Sequence, residues 1–273
     1  MRTVVIGDVH GCIDELCELL ELVQPTPQDR VVFLGDLMDR GPDPVACVRL
    51  VRRIGAECTS SNHDEKHARW RKHHRAQLAT GKKNPIRFTD AQREQNLALT
   101  DDDIAWIASL PMSIDLGNGW HAVHAGLEPA KTFAEQKDSQ SLLRTRFINE
   151  DGTAYTAKDA DAPDPTDKWY WAQRWRGPES IVYGHHIHGW WPRVNEKTIG
   201  LFGSREMSSM VTCVGIDTGC YAGGRLTAMI LREDGSYVFE AVTARKEYTP
   251  LSEKYGPNRP KPICRQRAEA THG

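Results

Sequence analysis

Thr3-Val4-Val5-Ile6-Gly7-Asp8-Val9-His10-Gly11 opens the chain with four consecutive β-branched residues that stop on a glycine-flanked Asp-x-His. Such a run reads as a buried strand, and the glycines permit a sharp turn at its end. Ile13–Leu20 then repeats apolar residues at helical spacing. Arg30–Leu34 is a second strand running into Gly35-Asp36-Leu37-Met38-Asp39-Arg40-Gly41. Pro42 and Pro44 stand where a new helix begins, and that helix continues to Ile54. Ala56–Ser60 is a third strand, ending at Asn62-His63-Asp64. The order βαβαβ predicts a parallel sheet of an α/β fold, with its loops at the carboxyl ends of the strands. Open sheets of that kind place their ligands there.

Further along, Asp64–Thr80 reads as a helix, and Thr100 caps another that ends near Leu110-Pro111. Asn118-Gly119 is a hairpin turn between Ser113–Leu116 and Trp120–His124. Asn149–Lys168, rich in Asp, Ala, Pro and Thr, reads as a surface loop. Strands resume at Ile181–Tyr183, Val211–Ile216, Arg225–Leu231 and Tyr237–Val242. Residues 1–245 form one domain on this reading, and 246–273 a tail that wraps the surface or is disordered.

Net charge is −2, so no global field points to nucleic acid or a membrane surface. No apolar run approaches a membrane span, and the N-terminus runs straight into a strand without a signal-peptide pattern. Seven cysteines, with no C-x-x-C pair, read as buried free thiols in a reducing compartment. Cytoplasm is the expected location.

Two more polar motifs follow apolar stretches: Val123-His124-Ala125-Gly126 and Gly184-His185-His186. Carboxylates, imidazoles and an Asn amide, without thiolate, suit two divalent cations with a phosphate between them. Asp8 and His10 project to one side and would clamp one ion, Asp36 would bridge, and Asn62, His124 and His185 would complete the second. Arg40 would hold phosphate oxygens through its planar fork. His63 is the candidate general acid, oriented by Asp39, which is expected to raise its pKa. Taken singly the residues allow plainer roles: Asp8 and Asp36 in turns, Asn62 as a helix cap, His124 in the core. All of those must hold together for no site to exist.

These motifs resemble the calcineurin-like metallophosphoesterases, and within them the phosphoprotein-phosphatase branch, with its GDxHG, GDxxDRG, GNH(E/D), HAG and late GH pattern. The resemblance covers roughly residues 3 to 242. It implies an αββα sandwich, two mixed sheets flanked by helices, with a dinuclear centre activating hydroxide for in-line attack on phosphorus. It implies the same division of ligands: Asp8, His10 and Asp36 for one ion, and Asp36, Asn62, His124 and His185 for the other. The cofactors expected are two divalent ions, manganese first, with iron, zinc, cobalt or nickel as alternatives. His63 with Asp39 matches the acid pair and Arg40 the first phosphate arginine. Trp171-Ala172-Gln173-Arg174 looks similar to the stretch supplying the second, which names Arg174, with Arg146 as its rival. Ser61 departs from the family's glycine before the Asn and puts the shape of that loop in question. Ile187 stands where some relatives carry another His, so His186 and His188 read as rim residues.

The closing segment from Gly215 to Ala228 is similar to that of bacterial symmetrical diadenosine tetraphosphate hydrolases, which points to a dinucleoside polyphosphate or related phosphoanhydride. A protein serine/threonine phosphatase is the alternative; a polynucleotide-end phosphatase and an inactive phosphate-binding scaffold are further ones. The substrate partner is thus a phosphorylated small molecule or nucleotide, with a phosphoprotein or nucleic-acid end as the other options. Between Lys66 and Arg93 there are nine Lys/Arg against the single acid Asp90, which suits a basic wall or an ordinary solvated helix face. Trp169, Trp171, Trp175, Trp190 and Trp191 surround the fifth motif and suit either base stacking or, for most of them, core packing.

Overall fold

Arg2–Ile6 forms β1, and its side chains are divided between two cores: Val4 and Ile6 face one, Val5 the other. Burial on both faces is why the run carries no polar alternation. The same holds for β2 (Arg30–Phe33), where Val32 and Phe33 part in the same way. Each fully buried Val, Ile or Phe side chain stabilises the fold by about 1.5–3 kcal/mol. The computed structural model describes residues 1–156, 165, 167–199, 209–251, 261, 263 and 264.

Between β1 and β2 lies α1 (Ile13–Val23), and α2 (Pro44–Arg53) leads to β3 (Glu57–Cys58). Pro44 opens α2, and the Asp43 carboxylate accepts the Ala46 N–H at 2.9 Å as its cap. Three helices follow: α3 (Asn62–Thr80), α4 (Asp90–Ala98) and α5 (Asp101–Ser109). The expected hairpin is β4 (Ser113–Gly117) and β5 (Trp120–Val123), turning on Asn118 and Gly119. Then come α6 (Phe133–Gln136), the short pair β6 (Phe147–Ile148) and β7 (Trp169–Tyr170), and α7 (Trp171–Arg174). The chain ends in β8 (Ser180–Tyr183), β9 (Arg193–Ile199), β10 (Ser209–Gly215), β11 (Arg225–Arg232) and β12 (Tyr237–Thr243).

One sheet has the order β12-β11-β1-β2-β3, the other β4-β5-β8-β10-β9. Each is mixed. β1, β2 and β3 run parallel, as do β5, β8 and β10, while β11 lies antiparallel to β1 and β9 to β10. Val5, Val32 and Leu34 meet Ala122, Val182, Val214 and Ile216 between the sheets. The outer face of the first sheet packs on α1 and α2 through Leu16, Leu19, Val48 and Val51. That of the second is covered by Leu127, Phe133, Leu142, Trp171 and Trp175. The αββα sandwich with two mixed sheets is the architecture expected. Among the described residues no helix is long and apolar enough to cross a membrane.

The loop expected over 149–168 and the tail over 246–273 fall partly outside the described residues. Within them, Tyr248 and Thr249 N–H groups bond the Tyr221 carbonyl, and Leu251 is buried.

Candidate metal centre

Six parallel strand ends meet along one edge where the two sheets face each other. Gly184 N–H donates to the His124 carbonyl at 2.8 Å and Ile216 N–H to Tyr183 O at 2.9 Å, so β5, β8 and β10 end together. His124 Nδ1 donates to the Leu34 carbonyl at 2.7 Å, tying the second sheet to the first. Gly7 must be glycine because a Cβ would lie 2.5 Å from the Ile216 carbonyl.

The backbone marks the same residues. Among the described residues seven non-glycines have positive φ, and five are motif residues: His10, Asp36, Asp39, Arg40 and His185. Each costs on the order of 1–3 kcal/mol, a strain that persists only where the surroundings enforce it and that clusters at functional sites. Asp64, wholly buried, helps enforce it by accepting N–H bonds from Leu37 at 3.1 Å and Met38 at 3.0 Å. The sequence expectation starts the helix at Asp64. The cap of α3 is in fact Ser61, whose hydroxyl accepts the Asp64 N–H at 3.2 Å. That frees Asn62 from the capping role. The Ser61 side chain packs against Gly35, where a Cβ would lie 2.6 Å from that of Ser61.

Two donor clusters share Asp36. His10, Asp36 and His63 form one and Asp36, His124 and His185 the other, with candidate donor atoms within 4.8 Å of one another in each. His10 Nδ1 donates to Met38 O at 2.9 Å, which turns Nε2 toward Asp36 Oδ2 at 3.2 Å. His124 is held by Leu34 O in the same way, with Nε2 2.9 Å from Asn62 Oδ1 and 3.5 Å from Asp36 Oδ1. An N–H given to a carbonyl on one side of the ring, with the other nitrogen's lone pair left for a cation, is how metal-binding imidazoles are held. Asp8 is joined through its Oδ2, which accepts the His185 N–H at 2.9 Å. Its Oδ1 is buried without a donor, and a Cβ on residue 184 would lie 2.0 Å from it. An orphaned buried carboxylate oxygen costs about 1–3 kcal/mol unless a cation takes it. The donors therefore fit divalent ions of the hard or borderline kind.

Charge follows the same logic. Burial, then Asp217 and Asp36, push the Asp8 carboxyl well up. Burial also opposes ionisation of Asp36, but His124, His63 and His10 outweigh it and hold Asp36 well below the usual carboxylate range. Burial lowers His124, and burial with Arg146 lowers His185 strongly, so both rings are neutral and able to ligate.

The acid pair is assembled as expected. His63 Nδ1 donates to Asp39 Oδ2 at 2.6 Å. Two residues the sequence did not single out complete that carboxylate: His67 Nε2 bonds Oδ1 at 3.0 Å, and Gln92 of α4 donates to Oδ2 at 3.0 Å. Asn96 donates to His67 Nδ1 at 3.2 Å and fixes that ring's tautomer. Burial is overcome at Asp39 by the bonds from His63 and His67, and its pKa is held low. One expectation needs correcting. Asp39 does pull the His63 pKa upward, but burial of the ring is the larger effect and the net shift is down.

The arginines separate. Arg40 lies over the Tyr221 ring at 4.6 Å, and Tyr221 meets the His10 ring edge-on at 4.9 Å. Arg146 Nε donates to His185 Nε2 at 3.1 Å. Arg174 instead stacks on Trp169 at 4.0 Å and lines a cavity of about 220 Å³ whose walls include none of the ligand candidates. Trp171, Trp175 and Trp190 are buried in the core, whereas Trp169 and Trp191 are exposed, each beneath an arginine. The basic wall is partly spent on structure. Arg71 is turned inward onto Asn96 and Leu99, Arg93 pairs with Asp90, and Lys66 lies over Phe88. His188 bonds the Tyr183 hydroxyl at 3.1 Å and His186 that of Tyr170 at 3.2 Å, away from the donor clusters.

Asp217 is a further buried acid at the end of β10. Burial and Asp36 push its carboxyl up to about 6, against His10 and the Gly219 N–H. A raised folded pKa means the proton is held in the native state. The metal-free fold therefore loses stability through this group as pH rises from its ordinary 3.8 to about 6. Asp217→Asn keeps the acceptor for Gly219 and removes the charge. In chelator its melting temperature should match wild type below pH 4 and exceed it at pH 7.5. A less stable variant at pH 7.5 would contradict this electrostatic picture.

Comparisons with known proteins agree with this geometry. The calcineurin-like phosphoesterase family profile matches residues 1–218. A symmetrical bis(5'-nucleosyl)-tetraphosphatase of Chromohalobacter salexigens is 30% identical, with 90% of this chain and 100% of that protein covered. The asymmetrical bis(5'-nucleosyl)-tetraphosphatase PrpE of a Geobacillus species is 30% identical over 84% of this chain and 89% of its own. A solved structure of a candidate diadenosine tetraphosphatase superposes with a TM-score of 0.65 at 25% identity, covering 89% of this chain and 93% of its own. A chain with this fold, this strand-end donor set and this profile match belongs to the calcineurin-like phosphoesterase family and is a metal-dependent phosphohydrolase.

Proposed function

We propose that this chain hydrolyses dinucleoside polyphosphates at a dinuclear manganese centre. The observation that carries the reading is the pair of donor clusters sharing Asp36, flanked by the His63–Asp39 pair and by two arginines. Asp8, His10 and Asp36 would hold one ion and Asp36, Asn62, His124 and His185 the other. Bound there, the ions supply Lewis-acid activation of water and neutralise charge at phosphorus. The protein's own groups do the rest. His63, pinned by Asp39 through Nδ1, would in its protonated form present Nε2–H to the leaving oxygen and give up that proton there. Asp39, itself fixed by His67 and Gln92, stabilises the imidazolium before transfer. Arg40 and Arg146 clamp phosphate oxygens from two sides.

Arg146 takes the second clamp in place of Arg174 because it is the arginine in contact with a ligand candidate. Arg146→Ala should lower kcat/KM by about ten- to a hundredfold, the worth of one charge-assisted hydrogen bond. Arg174→Ala should change it far less, and a larger loss at Arg174 would restore the original assignment. The substrate class rests on the named activities of the relatives. Seven free thiols fit a reducing compartment, the cytoplasm.

The test is turnover in manganese of diadenosine tetraphosphate beside a phosphopeptide and p-nitrophenyl phosphate. Diadenosine tetraphosphate should have the highest kcat/KM, and two ADP as products would assign the symmetrical reaction, ATP with AMP the asymmetrical one. Preference for the phosphopeptide would make the chain a protein phosphatase.

A further inference from the structure

A second cluster of metal-ligating side chains lies apart from the donors just described. Cys12, at the start of α1, Glu15, in its first turn, and Cys220, in the loop after β10, bring their donor atoms within 4.8 Å of one another. All three residues are wholly or almost wholly buried. Cys47 of α2 is buried beside them: burial, then the Cys12 thiol, pushes its own thiol well up.

Glu15 is the telling residue. Its Oε1 accepts the Tyr248 hydroxyl at 2.8 Å and the Arg245 N–H at 2.8 Å. Its Oε2 is buried and has no hydrogen-bond partner. A carboxylate oxygen left so keeps the full penalty of losing water without a replacement partner. The Arg245 and Tyr248 bonds account for Oε1 and leave Oε2 unexplained. A Cys12–Cys220 disulfide would still leave Oε2 unpaired. A thiophilic divalent cation would satisfy the oxygen and both sulfurs together.

We propose that Cys12, Glu15 and Cys220 bind a structural zinc ion. Two ligands 2.3 Å from a tetrahedral ion lie about 3.8 Å apart, so a contraction of about 1 Å closes the site. Metal–sulfur bonds replace the S–H bonds, and the thiol protons pass to solvent. Mixed thiolate and carboxylate donors select zinc, whereas the imidazole–carboxylate set above the sheets takes harder ions. The ion ties three segments together: the turn carrying His10, the helix α1, and the loop whose Tyr221 supports Arg40 and abuts His10. Residues 245 and 248 close over it through Glu15.

The probe is cobalt(II), added to the full chain kept reduced with a non-thiol reductant. Thiolate ligands give an intense near-ultraviolet charge-transfer band that oxygen and imidazole ligands do not. Wild type should show it, saturating at one thiolate-bound cobalt per chain. It should persist in Cys17→Ser, which removes an exposed thiol, and fall to about half or less in Cys220→Ser, which leaves Cys12 as the remaining thiol of the cluster. Glu15→Gln should weaken cobalt binding at this site by at least about tenfold. Because a core variant can fail to fold, zinc-edge X-ray absorption on zinc-saturated wild type gives a second reading. A sulfur shell near 2.3 Å supports the site. No charge-transfer band in wild type, a band abolished by Cys17→Ser, or a purely nitrogen and oxygen shell would each overturn it.

Discussion

Asp36→Asn should leave the purified protein with neither ion of the dinuclear centre and with turnover lowered at least about 10³-fold. The reasoning starts from the backbone. Asp36 has a φ of +48°, a conformation Asn tolerates almost as well, so the loop should survive the change. Asn also retains an oxygen for the His63 N–H, now 3.3 Å from Oδ1. What it loses is the charge that His10, His124 and His63 all face, and the ability to give one oxygen to each of two cations. The proposed bridge falls to this carboxylate, since Asp36 is the only residue common to both donor clusters among the described residues. Losing about 4 kcal/mol of Lewis-acid stabilisation corresponds to a thousandfold in rate. The check is elemental analysis beside steady-state kinetics. Two retained ions per chain would refute the bridging role.

His63→Ala should behave differently. Metal content should stay at the wild-type level while kcat falls by about 10²–10⁴-fold, the range for a positioned general acid. His63 does sit within donor range of His10 and Asp36, so a ligand role is the competing account. Its Nδ1 is committed to Asp39, however, which leaves only Nε2 to face the substrate. The loss should be smaller with p-nitrophenyl phosphate, whose leaving oxygen departs without a proton, than with an alkyl monoester. Equal losses on both substrates together with a missing ion would make His63 a ligand.

The strands that carry the site were readable because burial on two faces writes itself as β-branched runs. Val4, Val5 and Ile6 have no solvent face, and neither do Ile181 and Val182. Motifs at the ends of such runs had one place to go. The hairpin was readable from Asn118-Gly119 because its turn needs positive φ at both residues. β9 was missed because it is an edge strand, Arg-Val-Asn-Glu-Lys-Thr-Ile, whose composition shows no buried face. α4 was missed because its side chains are mostly exposed, although Thr89 and Gln92 form a capping box that could have announced it.

Within the site, the candidate ligands were easier to read than the residues that support them. A ligand needs a particular chemistry at a strand end, and that shows in a short motif. Supports come from anywhere that packing allows: His67 one turn along α3, Gln92 from α4, Asp217 from the loop after β10. Arg146 and Arg174 show the limit of matching by local likeness. α7 is a single turn that buries Trp171 and Ala172, and Arg174 comes out against Trp169. Arg146 reaches His185 from the residue before β6, which no spacing within its own segment revealed.

Anomalous diffraction from crystals of the manganese-loaded protein tests the dinuclear centre most directly. Two manganese peaks should appear at the meeting edge of the sheets, one in ligand range of Asp8, His10 and Asp36, the other of Asp36, Asn62, His124 and His185. A single peak, or two that do not share Asp36, would contradict the account.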